Sequence, residues 1–358
     1  MIALLRQAAA QFAGDPTTFD IKPLGTGLIN DTYWVGNADR AFVLQRINAH
    51  VFPRPDWVMD NLRQLSQHIR QKPATSVRLR IPAPLPTQQG DWSYQDQSGH
   101  FWRALQLIAP AESRNHISHA EEAAQIGFAL AHFHHLCADL TPDGLHDTLP
   151  GFHVTPNYLQ EYMALLAKPL QVVPNELFRQ CQAYIEAHQD QAHVLENAKT
   201  QGVLPARVIH GDPKLSNFLF EPGQPHVISL IDLDTVKPGL LHYDIGDCLR
   251  SCCHDKQNDQ FDLTRCQIIL ESYLQEANDF FSREDYDYLY AAIWLIPFEL
   301  GLRFFNDYLD GNRYFKTVDA RQNVLRARAQ FALCESIAGQ RSALEQLIVD
   351  IQKRLPKP

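Results

Sequence analysis

The spacing of apolar and polar positions changes partway along the chain. Before about residue 108, apolar residues come in short runs of β-formers, at Ile21–Leu24, Thr32–Val35 and Ala41–Arg46. Gly25-Thr26-Gly27 and Gly36-Asn37-Ala38-Asp39 supply the turns between them. Arg54–Arg70 breaks that texture, because Trp57, Leu62, Leu65 and Ile69 recur near a 3.6-residue period and predict a helix. Ile81–Pro86 is proline-rich and extended. Asp91–Tyr94 and His100–Leu107 suit a hairpin around Asp96-Gln97-Ser98-Gly99. After Ala109-Pro110 the helical period dominates, over Ser118–Cys137, Asn157–Ala167, Pro174–Ala198, Leu263–Phe280, Arg283–Leu309 and Asp319–Ile351. One island interrupts the helices: residues 207–232 read as strand, loop, strand, turn, strand. The pattern predicts an α+β chain with a β-rich lobe over 1–109 and a larger helical lobe over 110–358.

Length and charge narrow the function. A chain of 358 residues fits two domains or one bilobal unit. The formal charge is −9, from 32 Lys and Arg against 41 Asp and Glu, and no basic stripe is present. That argues against nucleic acid or a membrane surface as partner, and leaves small substrates, including phosphate esters held by a metal. The 7 cysteines are too sparse for a disulfide framework and read as reduced thiols of a cytosolic protein. Met1–Gly14 reads as an amphipathic helix rather than a signal peptide. Leu289–Phe305 is interrupted by Pro297, Glu299 and Arg303, so it is too short and too charged to span a bilayer. The expected location is the cytoplasm.

The island carries the chemistry. It runs His210-Gly211-Asp212-Pro213-Lys214-Leu215-Ser216-Asn217, then through a turn at Glu221–Pro225 to Leu230-Ile231-Asp232. Folded as a hairpin about Gly223, it sets Asn217 opposite the residues before Asp232, with Asp212 at the mouth. Three oxygen-bearing side chains then converge. One carboxylate can take the proton of an attacking hydroxyl, while an amide and a second carboxylate can hold Mg²⁺ beside substrate phosphates. His132, His134 and His135 lie in a helix without a suitably spaced third ligand, so they read as packing and surface residues.

This stretch resembles the catalytic and metal-binding segments of the aminoglycoside phosphotransferase and choline kinase superfamily. That resemblance implies a two-lobed protein-kinase-like fold, with ATP and Mg²⁺ between the lobes and adenine near Gln106–Ala109. It makes Asp212 the catalytic base and Asn217 and Asp232 the Mg²⁺ ligands. It makes His210, Asp234, Asp244 and Asp247 supports of the catalytic loop. Further segments resemble the bacterial N-acetylhexosamine 1-kinases: Gly25–Tyr33, Phe42–Asn48, Leu230–Gly239, Asp244–Arg250 and Phe298–Gly311. They imply a kinase of acetamido sugars, with no obligate protein partner. The Gly25-Thr26-Gly27 turn, with Asn30, Thr32 and Gln45, would then face the nucleotide.

The chain departs from the pattern at one place. Kinase-like enzymes carry a lysine on the third strand, paired with a helix glutamate. Here the strand reads Phe42-Val43-Leu44-Gln45-Arg46, with Gln45 in the lysine's register and only Asp56 and Asp60 on the following helix. Glu299, Arg303 and Asp307 recur every four residues, so they form either an ion-pair ladder or a substrate-binding face. Arg303 is the expected substrate contact, since arginine can donate to sugar hydroxyls or an acetamido carbonyl. Phe152-His153 is expected at the cleft wall. Competing readings are a kinase of an aminoglycoside, choline, homoserine or methylthioribose, and a non-catalytic pseudokinase.

Overall fold

The computed structural model describes residues 2–15, 18–25, 29–37, 39–170 and 172–355. Its first part is built on an antiparallel sheet. Helix α1 (Ile2–Ala13) is followed by β1 (Asp20–Pro23), β2 (Asp31–Gly36), β3 (Ala41–Ile47), helix α2 (Pro55–Arg70), β4 (Pro84–Leu85), β5 (Tyr94–Gln95) and β6 (Phe101–Gln106). The order across the sheet is β1-β2-β3-β6-β4, with β5 also paired to β6. Strand alternation divides the side chains between two faces. Phe42, Leu44, Val35, Trp102 and Ala104 are buried together under Ala8, Ala9 and Phe12 of α1. Thr32, Gln45 and Arg103 stand on the opposite face, in one cross-strand row fixed by the pairings Thr32↔Gln45 and Gln45↔Arg103.

The second part is helical. It contains β7 (Glu112–Ser113), α3 (Ala120–Cys137), α4 (Thr155–Leu166), α5 (Glu176–His188), α6 (Val194–Thr200), β8 (Arg207–Ile209), β9 (Phe218–Phe220), β10 (Val227–Leu230) and β11 (Lys237–Gly239). Then come α7 (Leu241–Cys253), the short pair β12 (His254–Asp255) and β13 (Gln260–Phe261), α8 (Leu263–Glu276), α9 (Arg283–Asp287), α10 (Leu289–Leu309), α11 (Gln322–Gly339) and α12 (Arg341–Arg354). One large apolar core runs through these helices and takes in Leu62, Leu65 and Ile69 of α2, which tie the helix beside the sheet to the helical part. Gly127 lets α3 press on α8: a Cβ there would lie 2.2 Å from the Ile269 carbonyl oxygen.

Several expected elements are redrawn. The single helix expected over Pro174–Ala198 is α5, a 3-10 turn at Gln189–His193 and α6. The one expected over Asp319–Ile351 breaks at Gln340 into α11 and α12, and Arg283–Leu309 breaks at Tyr288. In the island, β9 and β10 form the expected hairpin, but β8 pairs with β11, and β9 takes β7 on its other edge. Helix α7 has no counterpart in the sequence reading. Its apolar residues Leu241, Ile245, Cys248, Leu249 and Cys252 do recur at helical spacing, but the polar His242, Asp244 and Asp247 are buried as well, and Gly246 lets it cross α10 where a Cβ would sit 2.5 Å from Ile296 Cγ1. All 7 cysteines are free and buried. Among the described residues no helix is long and apolar enough to cross a membrane.

Candidate active site

The loop between β8 and β9 is held from several sides. Asp244, at the start of α7 and fully buried, accepts hydrogen bonds from the backbone N–H groups of His210 (2.7 Å) and Gly211 (2.8 Å). Its Oδ2 also meets His134 Nε2 at 2.8 Å. Burial alone would raise the Asp244 pKa, but the His134 hydrogen bond and the backbone donors hold it below the usual carboxylate value. His210 bridges the two strand ends, with Nε2 3.0 Å from the Ile231 carbonyl and Nδ1 accepting from Asp212 N at 3.2 Å. Burial pushes its own pKa down. Gly211 has φ +86° and would place a Cβ 2.6 Å from the Thr235 carbonyl oxygen, so only glycine fits. The Gly211 carbonyl receives His153 Nε2 at 2.8 Å.

This frame presents three side chains at the end of the β9–β10 hairpin. Asn217 Nδ2 donates to the Asp212 carbonyl oxygen (2.7 Å) and to Asp212 Oδ2 (3.3 Å). The Ile231 N–H donates to the Asn217 carbonyl at 2.9 Å, which draws Asp232 alongside. Asp232 sits in the left-handed region, with φ +68°, where the chain turns sharply out of β10. The hairpin expected from the sequence therefore does bring Asp212, Asn217 and Asp232 together.

The ammonium of Lys214, which the sequence reading passed over, lies between the carboxylates. It contacts Asp212 Oδ2 and stands 3.8 Å from Asp232 Oδ2. Burial opposes its charge, yet the two carboxylates raise its pKa above the ordinary lysine value. Asp232 keeps 41% of its side chain exposed; the desolvation it does suffer, together with Asp234 and Asp212, raises its pKa, and Lys214 opposes the rise. Two facing carboxylates with a single ammonium between them keep a net negative charge, which suits a further cation. Among the described residues no group of three His, Cys, Asp or Glu could hold a metal. A cation here would take Asn217, Asp232 and otherwise water or phosphate oxygens, which is how Mg²⁺ prefers to bind.

The sheet contributes a second network. Gln45 Nε2 donates to Thr32 Oγ1 at 3.1 Å, and Gln45 Oε1 accepts from Arg103 Nε and Nη2 at 3.0 and 2.7 Å. Arg103 Nη2 also pairs with Asp234, whose other oxygen accepts from Asn30 Nδ2 at 2.6 Å. The expected nucleotide-facing set thus meets the expected support Asp234, through an arginine the sequence reading did not single out. Gly25 has φ +73° and open space where a Cβ would be, whereas Thr26 and Gly27 lie outside the described residues. Arg46 faces away and pairs with Asp31.

On the helical side, Glu299, Arg303 and Asp307 form no ion-pair ladder. Glu299 is buried against His153 (3.1 Å) and Thr155 (2.9 Å). Asp307 accepts from the N–H groups of Tyr314 and Phe315 at 2.7 and 2.9 Å. Arg303 is half-buried among rings, its guanidinium 4.8 Å from Phe152, 5.3 Å from Tyr158, 5.6 Å from Phe315 and 6.0 Å from Tyr314. No acceptor among the described residues meets its N–H groups. Burial opposes its charge, but Tyr158, Tyr314, Glu299 and Asp212 lift its pKa further. Asp247, one turn along α7 from Asp244, pairs with Arg250 and keeps a buried Oδ2 without a partner.

Residues 20–274 match the phosphotransferase enzyme family. Among solved structures the chain is similar to a microcompartment-associated aminopropanol kinase, at 18% identity and TM-score 0.68, covering 97% of this chain and 99% of that one. It is also similar to an amicoumacin kinase in complex with AMP-PNP, Ca²⁺ and Ami, at 16% identity and TM-score 0.61, covering 93% of each. A choline kinase from Cryptosporidium parvum is similar at 13% identity and TM-score 0.59, covering 99% of this chain and 98% of that one. At these identities the likeness establishes the two-lobed kinase-like fold.

Proposed function

The chain belongs to the phosphotransferase enzyme family, a small-molecule kinase acting on a hydroxyl acceptor, and from that premise we propose that it phosphorylates the anomeric hydroxyl of an N-acetylhexosamine, using ATP and Mg²⁺, to give the sugar 1-phosphate. The observation that carries the reading is the meeting of Asp212, Asn217 and Asp232 at the end of one hairpin. Asp212 Oδ accepts the proton of the attacking hydroxyl and holds its oxygen in line with the γ-phosphorus. Asn217 and Asp232 would hold Mg²⁺, which would supply positive charge to offset that on the phosphate oxygens. Asp244 and His210 keep the Asp212 backbone still, so the work of the protein is positioning. The lobes divide at 109/110, with adenine lying near Gln106–Ala109, and the enzyme acts in the cytoplasm, where ATP is supplied.

Arg303 sets the acceptor class. Its guanidinium is charged, clamped by aromatic rings and free to donate, near enough to Asp212 to feel that carboxylate. Such a group repels an ammonium and suits an acetamido carbonyl or sugar hydroxyls. The names of the aminopropanol and choline kinases point instead to cationic acceptors. A panel of N-acetylglucosamine, N-acetylgalactosamine, glucose, kanamycin, choline, homoserine and methylthioribose with Mg·ATP separates the two. ADP release with an acetamido sugar, and a 1-phosphate by phosphorus NMR, is the expected result. Turnover only with cationic acceptors would overturn the sugar reading.

A further inference from the structure

The lysine missing from the third strand has a replacement one strand away. Gln45 and Arg103 lie directly opposite across β3 and β6, so both side chains leave the sheet on the same face. Arg103 is only 1% exposed. Two of its nitrogens are spent on Gln45 and Asp234, while Nη1 is enclosed without a hydrogen-bond partner. A buried guanidinium nitrogen with no acceptor is unusual enough to require a reason. The carboxylate partner has moved as well. On α2, Asp56 pairs with Arg54, and Asp60 faces Arg63 and His146 near the surface. The most deeply buried polar residue of α2 is Asn61, which donates to the carbonyls of His146 and Val236, each at 2.8 Å. No acid of α2 therefore serves the strand. Asp234, two residues past Asp232, does so instead.

We infer that Arg103 is the fixed cation that acts on the nucleotide's β-phosphate in place of the strand lysine, with Asp234 in place of the helix glutamate. The inference rests on the phosphotransferase reading. Enclosure keeps water from screening the charge, and the Gln45 amide fixes the guanidinium plane. Because Asp234 follows Asp232 so closely, the same pair also ties the metal-binding segment to the sheet.

The test is calorimetric binding of AMP, ADP and Mg·AMP-PNP to the wild type, Arg103→Gln, Gln45→Lys and the double variant. The wild type binds Mg·AMP-PNP more tightly than AMP. Arg103→Gln weakens Mg·AMP-PNP by about ten-fold or more and leaves AMP within about two-fold, the loss expected for one charge-assisted contact. The double variant, with lysine restored on β3, recovers most of that loss, while Gln45→Lys alone brings no gain. Equal weakening of AMP and Mg·AMP-PNP in Arg103→Gln would show a structural role and overturn the inference. A ten-fold gain from Gln45→Lys alone would overturn it too, since the register would then lack a cation; that arm decides even where Arg103→Gln does not fold. A wild type that binds none of the three nucleotides would remove the phosphotransferase reading and this inference together.

Discussion

Asp244→Asn removes a charge from the support of the catalytic loop while preserving its shape. In the wild type one buried carboxylate accepts from His210 N, Gly211 N and His134 Nε2. The best arrangement of the amide keeps its oxygen on His210 and His134 and turns its NH₂ toward the Gly211 N–H, leaving two donors facing each other. One charge-assisted bond, worth about 1.5–3 kcal/mol, is lost. The other two weaken because the acceptor is now neutral. The total is about 3–5 kcal/mol, a large part of the roughly 5–15 kcal/mol that stabilises a domain. At about 2–4 °C per kcal/mol, Tm falls by about 6 °C or more. Thermal denaturation at pH 7 reads this directly. Because the displaced group is the His210–Gly211 backbone that leads directly into Asp212, kcat falls while KM for ATP stays close to wild type. The wild-type advantage belongs to an acid whose folded pKa is depressed, so it is present above pH of about 4 and lost as pH falls further. An unchanged Tm together with an unchanged kcat would refute the bracing role.

Other consequences follow from particular contacts. Gly127→Ala forces a methyl against the Ile269 carbonyl and so separates α3 from α8, costing about 1–3 kcal/mol or more; urea denaturation should show the midpoint falling. His153 is buried, which would lower its pKa, but Glu299 outweighs this and raises it. Its stabilising contribution is complete below pH of about 6.5 and declines as pH rises through the folded value, so a Tm profile from pH 5.5 to 8.5 should flatten in Glu299→Gln. Superimposable profile shapes would count against that pairing. Arg303→Ala should raise KM for the acetamido sugar about ten-fold or more and leave KM for ATP unchanged, as initial rates with each substrate varied would show.

What the sequence made legible was local. Phe42 and Leu44 alternate with Val43 and Gln45, so β3 and its two faces could be read directly. The turn at Glu221–Pro225 made the hairpin legible, and with it the meeting of Asn217 with the residues before Asp232, although a bulge between Val227 and Ser229 shifts the register by one residue on the way. What was not legible depends on distant partners or on burial from all sides. Arg103 and Asp234 are 131 residues apart, and nothing near Arg103 in the sequence marks it as charged and buried. His153 and Glu299 are separated by 146 residues, so the four-residue spacing of Glu299 and Arg303 suggested a ladder where none forms. Helix α7 turns polar residues inward as well as apolar ones: His242 and Asp244 meet partners on other elements, while Asp247 pairs with Arg250 of the same helix. Lys214 lay in plain sight within the island, but its place between two carboxylates comes only from the turn of Asp232.

Asp212, in the proposed mechanism, acts on the acceptor hydroxyl and not on the nucleotide. Asp212→Asn, measured by turnover and by calorimetric titration with Mg·AMP-PNP, tests it most directly. Turnover should fall by about 10²–10⁴-fold, the worth of a positioned general base, with nucleotide affinity held within about three-fold. Turnover near wild type, or nucleotide affinity lost in step with turnover, would contradict it.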